Sequence, residues 1–156
     1  MIIDVVNTLP SHPEKSYSTR KPLTIDTIVV HHAAADTNPF EIARWHINRG
    51  WPGIGYHSVI MEDGRRWKCN NDSTISYHVK GNNLPSIGIC VAMDLSYQQP
   101  SYEAYSSLIA EVLRYATAYG VPTDKIYGHG ELNPGNECPG QIDMDDLREI
   151  ISKIRR

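Results

Sequence analysis

The sequence predicts a single mixed α/β domain, a central mixed β-sheet flanked by helices on both faces. Three observations carry this. Two runs, residues 27–30 and 86–93, are nearly continuous in apolar and β-branched side chains, the pattern of strands covered on both sides. Tyr105, Leu108, Ile109, Val112, Leu113 and Ala116 recur at helical spacing, and Leu147, Ile150, Ile151 and Ile154 form a second such stripe near the end of the chain. Strand and helix patterns follow one another without strict alternation, so the sheet is expected to be mixed.

Length and composition agree with this class. A chain of 156 residues with 40% apolar content can bury a core without covalent staples. The formal net charge of -3 offers no basic stripe for nucleic acid or an anionic membrane surface, and neither is expected as a partner. No stretch approaches the ~20 apolar residues of a membrane span, and the start Met1-Ile2-Ile3-Asp4 lacks the basic and apolar regions of a signal peptide. Synthesis as a soluble cytoplasmic product is therefore expected. Cys69, Cys90 and Cys138 are an odd number at irregular spacing, which argues for free thiols or a metal ligand over a disulfide framework.

Taken in order, residues 1–24 carry Pro10, Pro13 and Pro22 among many polar residues and predict an irregular arm; residues 25–156 form the domain proper. His12 in the arm is expected to be solvated. The first strand, around 27–32, is followed by Asp36-Thr37-Asn38-Pro39, N-cap candidates with proline at the first helical position, and by a short helix to Gly50. Phe40, Ala43 and Ile47 fall on one face of that helix, with His46 expected at the surface. A glycine-rich loop, Trp51 to Gly55, feeds a strand over 56–61; Glu62-Asp63-Gly64-Arg65 then turns into a partner strand over 66–69. Residues 76–83 predict a polar loop, and the strand after it makes Cys90 a core cysteine. Ser101 caps the long helix, which Gly120 and Pro122 end. Lys125-Ile126-Tyr127 predict a short strand, and Asp143 caps the last helix.

The chemistry gathers at the end of the first strand, in His31 and His32. Successive side chains on a strand face opposite ways, so each ring needs its own explanation: a hydrogen bond at the sheet rim, or a metal at the strand's end. Far downstream, His129 and Cys138 are bridged by the turn Pro134-Gly135 and can face one point. Two histidines and a cysteine make three protein ligands, the number found in zinc sites whose fourth position holds water, and hydrolysis of an amide or ester is the chemistry of such sites. Glu131 and Glu137 flank these positions, yet exposed loop glutamates are expected to be solvated.

Ile28-Val29-Val30-His31-His32, Arg44-Trp45-His46 with Arg49-Gly50-Trp51, Gly55-Tyr56-His57, His78-Val79-Lys80-Gly81, Ser86-Ile87-Gly88-Ile89-Cys90 and Gly128-His129 through Cys138-Pro139-Gly140 together resemble the zinc-dependent N-acetylmuramoyl-L-alanine amidases, a family that includes small phage endolysins and the peptidoglycan recognition proteins. The resemblance spans about Thr24 to Cys138, six motifs in the family's order. It implies Zn2+ held by His31, His129 and Cys138, a catalytic tyrosine at Tyr56, and a peptidoglycan groove lined by His78, with Trp51 and Asn82 as further substrate-binding residues. It also implies hydrolysis of the amide between N-acetylmuramic acid and L-alanine, as a phage or prophage endolysin acting on the cell wall after release, with no appended wall-binding domain.

Two other settings share this resemblance: a non-catalytic peptidoglycan-binding module of the same fold, and a cytoplasmic amidase of muropeptide recycling. Non-catalytic relatives tend to lack the cysteine ligand, and Cys138 is present here. One departure stands out. Many catalytic members carry a lysine two residues before that cysteine, some a threonine, whereas this chain has Asn136, whose amide can donate a hydrogen bond without bringing a charge.

Overall fold

The computed structural model describes residues 1–156. Its elements in chain order are β1 (Ile2–Asp4), β2 (Thr27–His32), α1 (Pro39–Asn48), β3 (Ser58–Ile60), β4 (Arg66–Lys68), β5 (Ser86–Val91), α2 (Tyr102–Tyr119), β6 (Ile126–Gly128), α3 (His129–Leu132) and α4 (Met144–Ile154). The six strands form one sheet in the order β1-β4-β3-β5-β2-β6. Only the β3–β4 hairpin is antiparallel; the other pairs are parallel, so the sheet is mixed.

The two apolar runs become the central strands β2 and β5, and every residue of both is buried. Full burial of one aliphatic side chain contributes roughly 1.5–3 kcal/mol, so this pair is the rigid base on which the rest is mounted. Alternation divides β2 between the two faces of the sheet. Ile28 and Val30 join Ile87 and Ile89 under α2 and α4, against Leu108, Val112, Leu147 and Ile151. On the other face Val59 and Cys90 pack with Ile42 and Ala43 of α1. His32 belongs to the first face and His31 to the second.

The helix limits follow the local chemistry. Asn38 Oδ1 accepts the N–H groups of Phe40 and Glu41 at the start of α1, Ser101 Oγ that of Ala104 at the start of α2, and Asp143 Oδ1 those of Asp145 and Asp146 at the start of α4. α2 ends at Gly120 in the left-handed conformation, φ 64°. No helix is long and apolar enough to cross a membrane.

Three expectations need correction. The arm is not irregular throughout, because Ile2–Asp4 pair in parallel with Arg66–Lys68 as an edge strand. Beyond β1 the arm includes a short 3-10 turn at Pro22–Thr24 and a bridge from Thr19 to Thr74, and it is tied down: Lys15 Nζ donates to Gly50 O at 2.7 Å, Tyr17 Oη to Gly53 O at 2.7 Å, and the buried Arg20 to the carbonyls of Asn83, Leu84 and Ser86. The buried face of α1 is Pro39, Ile42, Ala43 and His46, so His46 is inside, where its Nδ1 accepts the N–H of Gly55 at 2.8 Å. Ile154 is 58% exposed; the apolar stripe of α4 that reaches the core is Met144, Leu147 and Ile151.

Candidate metal centre and the cleft beside it

β2 and β6 are parallel neighbours, with Val30 opposite Gly128, so the end of β2 and the start of α3 lie side by side. His31 is the last inward residue of β2 on the α1 face, and His129 opens α3; their ring centroids are 4.7 Å apart. Cys138 arrives from the loop that follows α3. That loop lies on the backbone of α3: Gly130 N–H donates to Cys138 O at 2.8 Å, and a Cβ on Gly130 would stand 2.1 Å from Asn136 O. A side chain at 130 would lift the loop and with it the cysteine. Cys138 Sγ is 3.7 Å from His31 Nδ1 and accepts the backbone N–H of His32 at 3.3 Å.

One donor atom from each of His31, His129 and Cys138 lies within 4.8 Å of the other two. Two imidazoles and a thiol at this spacing fit one tetrahedral ion of zinc's size, which takes sulfur at about 2.3 Å and nitrogen at about 2.0–2.1 Å. The protonation states agree. Burial pushes His31 well below the usual histidine range, with His129 and His32 adding repulsion, and burial also lowers His129, so both rings are neutral bases. Burial raises the Cys138 thiol to about 12, the His32 N–H opposing it. Without a cation the sulfur keeps its proton; a metal would replace that proton.

The outer contacts are equally specific. His31 Nε2 is 3.0 Å from His78 Nδ1, and His78 Nε2 is 3.0 Å from Ser86 Oγ. His129 Nε2 is 2.9 Å from Asn133 Oδ1. The Tyr56 ring sits 5.0 Å from His31 and 5.4 Å from His46 by centroid, and burial pushes its phenol well above its ordinary value, with Cys90 and Cys138 adding to the shift.

An open cleft of about 370 Å³ reaches the donor cluster at His129, lined by Trp51, Tyr77, His78, Lys80, Asn83 and His129 among others. Of the groove residues expected from sequence, Trp51 and His78 line it. Asn82 does not; its carbonyl is turned to Ser86 Oγ, and Asn83 takes the wall position, its Oδ1 accepting the N–H groups of His78 and Val79. Tyr77, at 5.9 Å from Trp51 by ring centroid, was missed because a polar loop carries no periodicity to mark it.

Asn136 serves the turn: its Oδ1 accepts the N–H of Cys138 at 2.8 Å, as turn-forming asparagines do. Glu131 is bound to Arg148 and to the N–H of Gly128; these bonds outweigh burial and hold its carboxyl below the usual range. His32, the other strand-end histidine, is structural: its Nδ1 accepts the N–H of Leu95 at 3.0 Å.

The family model for N-acetylmuramoyl-L-alanine amidase matches residues 21–141. The endolysin of Klebsiella phage KP32 is 37% identical over 116 residues, which cover 69% of this chain and 72% of that protein. Among solved structures, the Ph2119 endolysin of a Thermus scotoductus bacteriophage superposes with a TM-score of 0.78 at 26% identity, covering 96% of this chain and 97% of that one. Drosophila peptidoglycan recognition protein SD reaches a TM-score of 0.82 over 96% of this chain and 94% of that one, at 16% identity, a likeness of fold alone.

Proposed function

This chain belongs to the N-acetylmuramoyl-L-alanine amidase family, and from that premise we propose that it hydrolyses the amide bond between the lactyl group of N-acetylmuramic acid and L-alanine in bacterial peptidoglycan, with zinc held by His31, His129 and Cys138. Its likeness to a phage endolysin supports the setting of a phage or prophage endolysin that reaches the wall after release from the cytoplasm. The observation that carries the proposal is the convergence of the three donors within 4.8 Å beside an open cleft.

Zinc in such a site supplies Lewis acidity toward the scissile carbonyl and lowers the pKa of water to about 7. The protein's own groups do the rest. A phenol holds its proton at neutral pH, and burial reinforces this for Tyr56, so Tyr56 acts as a hydrogen-bond donor to the developing oxyanion and not as a base. Trp51 and Tyr77 offer flat apolar walls to the sugar and stem peptide. His78 faces the cleft but is bonded to His31, which makes its first task orientation of that ring. Asn136 keeps the Cys138 turn in shape, and its amide hydrogens are the candidate second donor to the oxyanion.

The test is product analysis. Zinc-loaded protein incubated with purified cell walls should release new alanine amino groups. New reducing sugar ends, or retention on the walls with no product at all, overturns the proposal.

A further inference from the structure

The outer contacts of the two histidines can be read as a chain of donors, and its direction is set from the far end. Ser86 Oγ lies 2.6 Å from Asn82 O, and a carbonyl only accepts, so the single hydroxyl hydrogen of Ser86 goes there. Ser86 Oγ must then accept from His78 Nε2, at 3.0 Å. His78 Nε2 carries the hydrogen, His78 Nδ1 is a lone pair, and His31 Nε2, 3.0 Å away, is the donor. What remains on His31 is an unprotonated Nδ1, the atom facing Cys138 Sγ.

His129 is treated in the same way. Asn133 Nδ2 donates to Lys80 O at 3.0 Å and to Leu132 O at 3.1 Å, which turns Asn133 Oδ1 toward His129 Nε2. Nε2 is again the donor and Nδ1 the free base. Both chains reach backbone carbonyls of one loop, at Asn82 and at Lys80, the second also ending on Leu132 O beside Asn133 itself. That loop is held by Asn83 Oδ1, which closes it on His78 and Val79, and by the Arg20 guanidinium, which grips the carbonyls of Asn83, Leu84 and Ser86. The His78 ring lies so close to β5 that a Cβ on Gly88 would stand 2.7 Å from its Cγ.

We propose that residues 78–86, acting through His78 and Ser86 on one side and through Asn133 on the other, hold His31 and His129 in the Nε2–H tautomer and so keep Nδ1 of each available to a metal. His78, Ser86 and Asn133 are positioning residues: His78 bonds His31, Asn133 bonds His129, and Ser86 acts on His31 through His78. A histidine ligand whose outer nitrogen is hydrogen-bonded is fixed in tautomer and ring angle, and loss of such a partner typically costs 10–100-fold in metal affinity. The inference rests on the proposal that His31 and His129 are ligands, and its first measurement is independent of zinc.

In metal-free protein labelled with 15N in histidine, two-bond proton–nitrogen correlations should show Nε2–H and not Nδ1–H at both His31 and His129. Zinc affinity, by competition with a chromogenic chelator, should then fall on the order of 10–100-fold in Ser86→Ala and in Asn133→Ala. Ser86→Thr, which keeps the hydroxyl, should stay near the wild-type affinity. Because a deletion in the core can fail to fold, His78→Asn is compared with His78→Ala: asparagine places an acceptor oxygen near the former Nδ1 and should bind zinc more tightly than alanine does. Nδ1–H at either ring in the wild type overturns the inference, as do folded alanine variants that bind zinc like the wild type. Wild-type protein that shows both Nε2–H tautomers yet binds no zinc overturns the metal proposal instead.

Discussion

The sulfur of Cys138 accepts the backbone N–H of His32 at 3.3 Å, while the ring of the preceding residue, His31, faces that same sulfur at 3.7 Å. A donor aimed at the sulfur favours its thiolate form, and it pins the loop after α3 to the end of β2. Cys138→Ser replaces the proposed soft ligand with a hydroxyl on an otherwise similar side chain. Zinc retained after dialysis should fall well below one ion per chain, and wall lysis should be lost. A variant that keeps both places the metal elsewhere.

Tyr56→Phe deletes one hydroxyl and touches no candidate ligand. Zinc content should be unchanged, while turnover on a soluble muropeptide should drop on the order of 10²-fold, the size seen when one oxyanion donor is lost. Equal turnover would reduce Tyr56 to packing against His31 and His46.

The observed contact of Asn136 and its proposed role at the oxyanion fall on different atoms. Its Oδ1 holds the turn through Cys138 N–H, so Asn136→Ala should weaken zinc binding severalfold, about 1 kcal/mol for one hydrogen bond. Asn136→Asp keeps that acceptor and loses the amide hydrogens; zinc binding should persist while turnover falls. Full turnover in Asn136→Asp, measured at saturating zinc, would confine Asn136 to the turn.

Burial lowers His46 to about 4, against an ordinary value of 6.5, with Arg49 adding to the shift. The sign follows from proton counting: between these values the unfolded chain binds the extra proton, so stability rises with pH. The contribution of a neutral His46 is complete above pH 6.5 and is lost as the pH falls toward 4. Between pH 7 and 5 this amounts to about 2 kcal/mol. His46→Asn keeps an acceptor for Gly55 N–H and cannot titrate. Urea unfolding at the two pH values should show a smaller loss for the variant than for the wild type, and equal losses would show that His46 titrates normally.

Much of the frame was legible because it depends on near neighbours in the chain. The β-branched run of β2, the caps Asn38, Ser101 and Asp143, and the 3.6-residue stripe of α2 each declare an element without reference to anything distant. Polar residues in the interior gave no such signal. Glu111 lies on the buried face of α2 at 0% exposure because Ser58 donates to it at 2.5 Å and Arg66 and Arg114 pair with it, partners that periodicity does not count. His46 went unrecognised for the same reason, its partner being Gly55, and Ile2–Asp4 because an edge strand of three residues is defined by its pairing with β4.

The sequence by itself determined that His31 and His32 lie on opposite faces of a buried strand, since side-chain alternation is a local property of extended backbone. It also carried the family's order of motifs around Tyr56, His129 and Cys138. Only the tertiary structure decided that His31 meets His129 and Cys138 while His32 holds Leu95, that Asn83 and not Asn82 lines the cleft, and that His78 turns to His31. The reason is physical: which nitrogen is a lone pair, and what it faces, is set by hydrogen-bond partners from other strands and loops, and the fold must bring these together before either ring has a role.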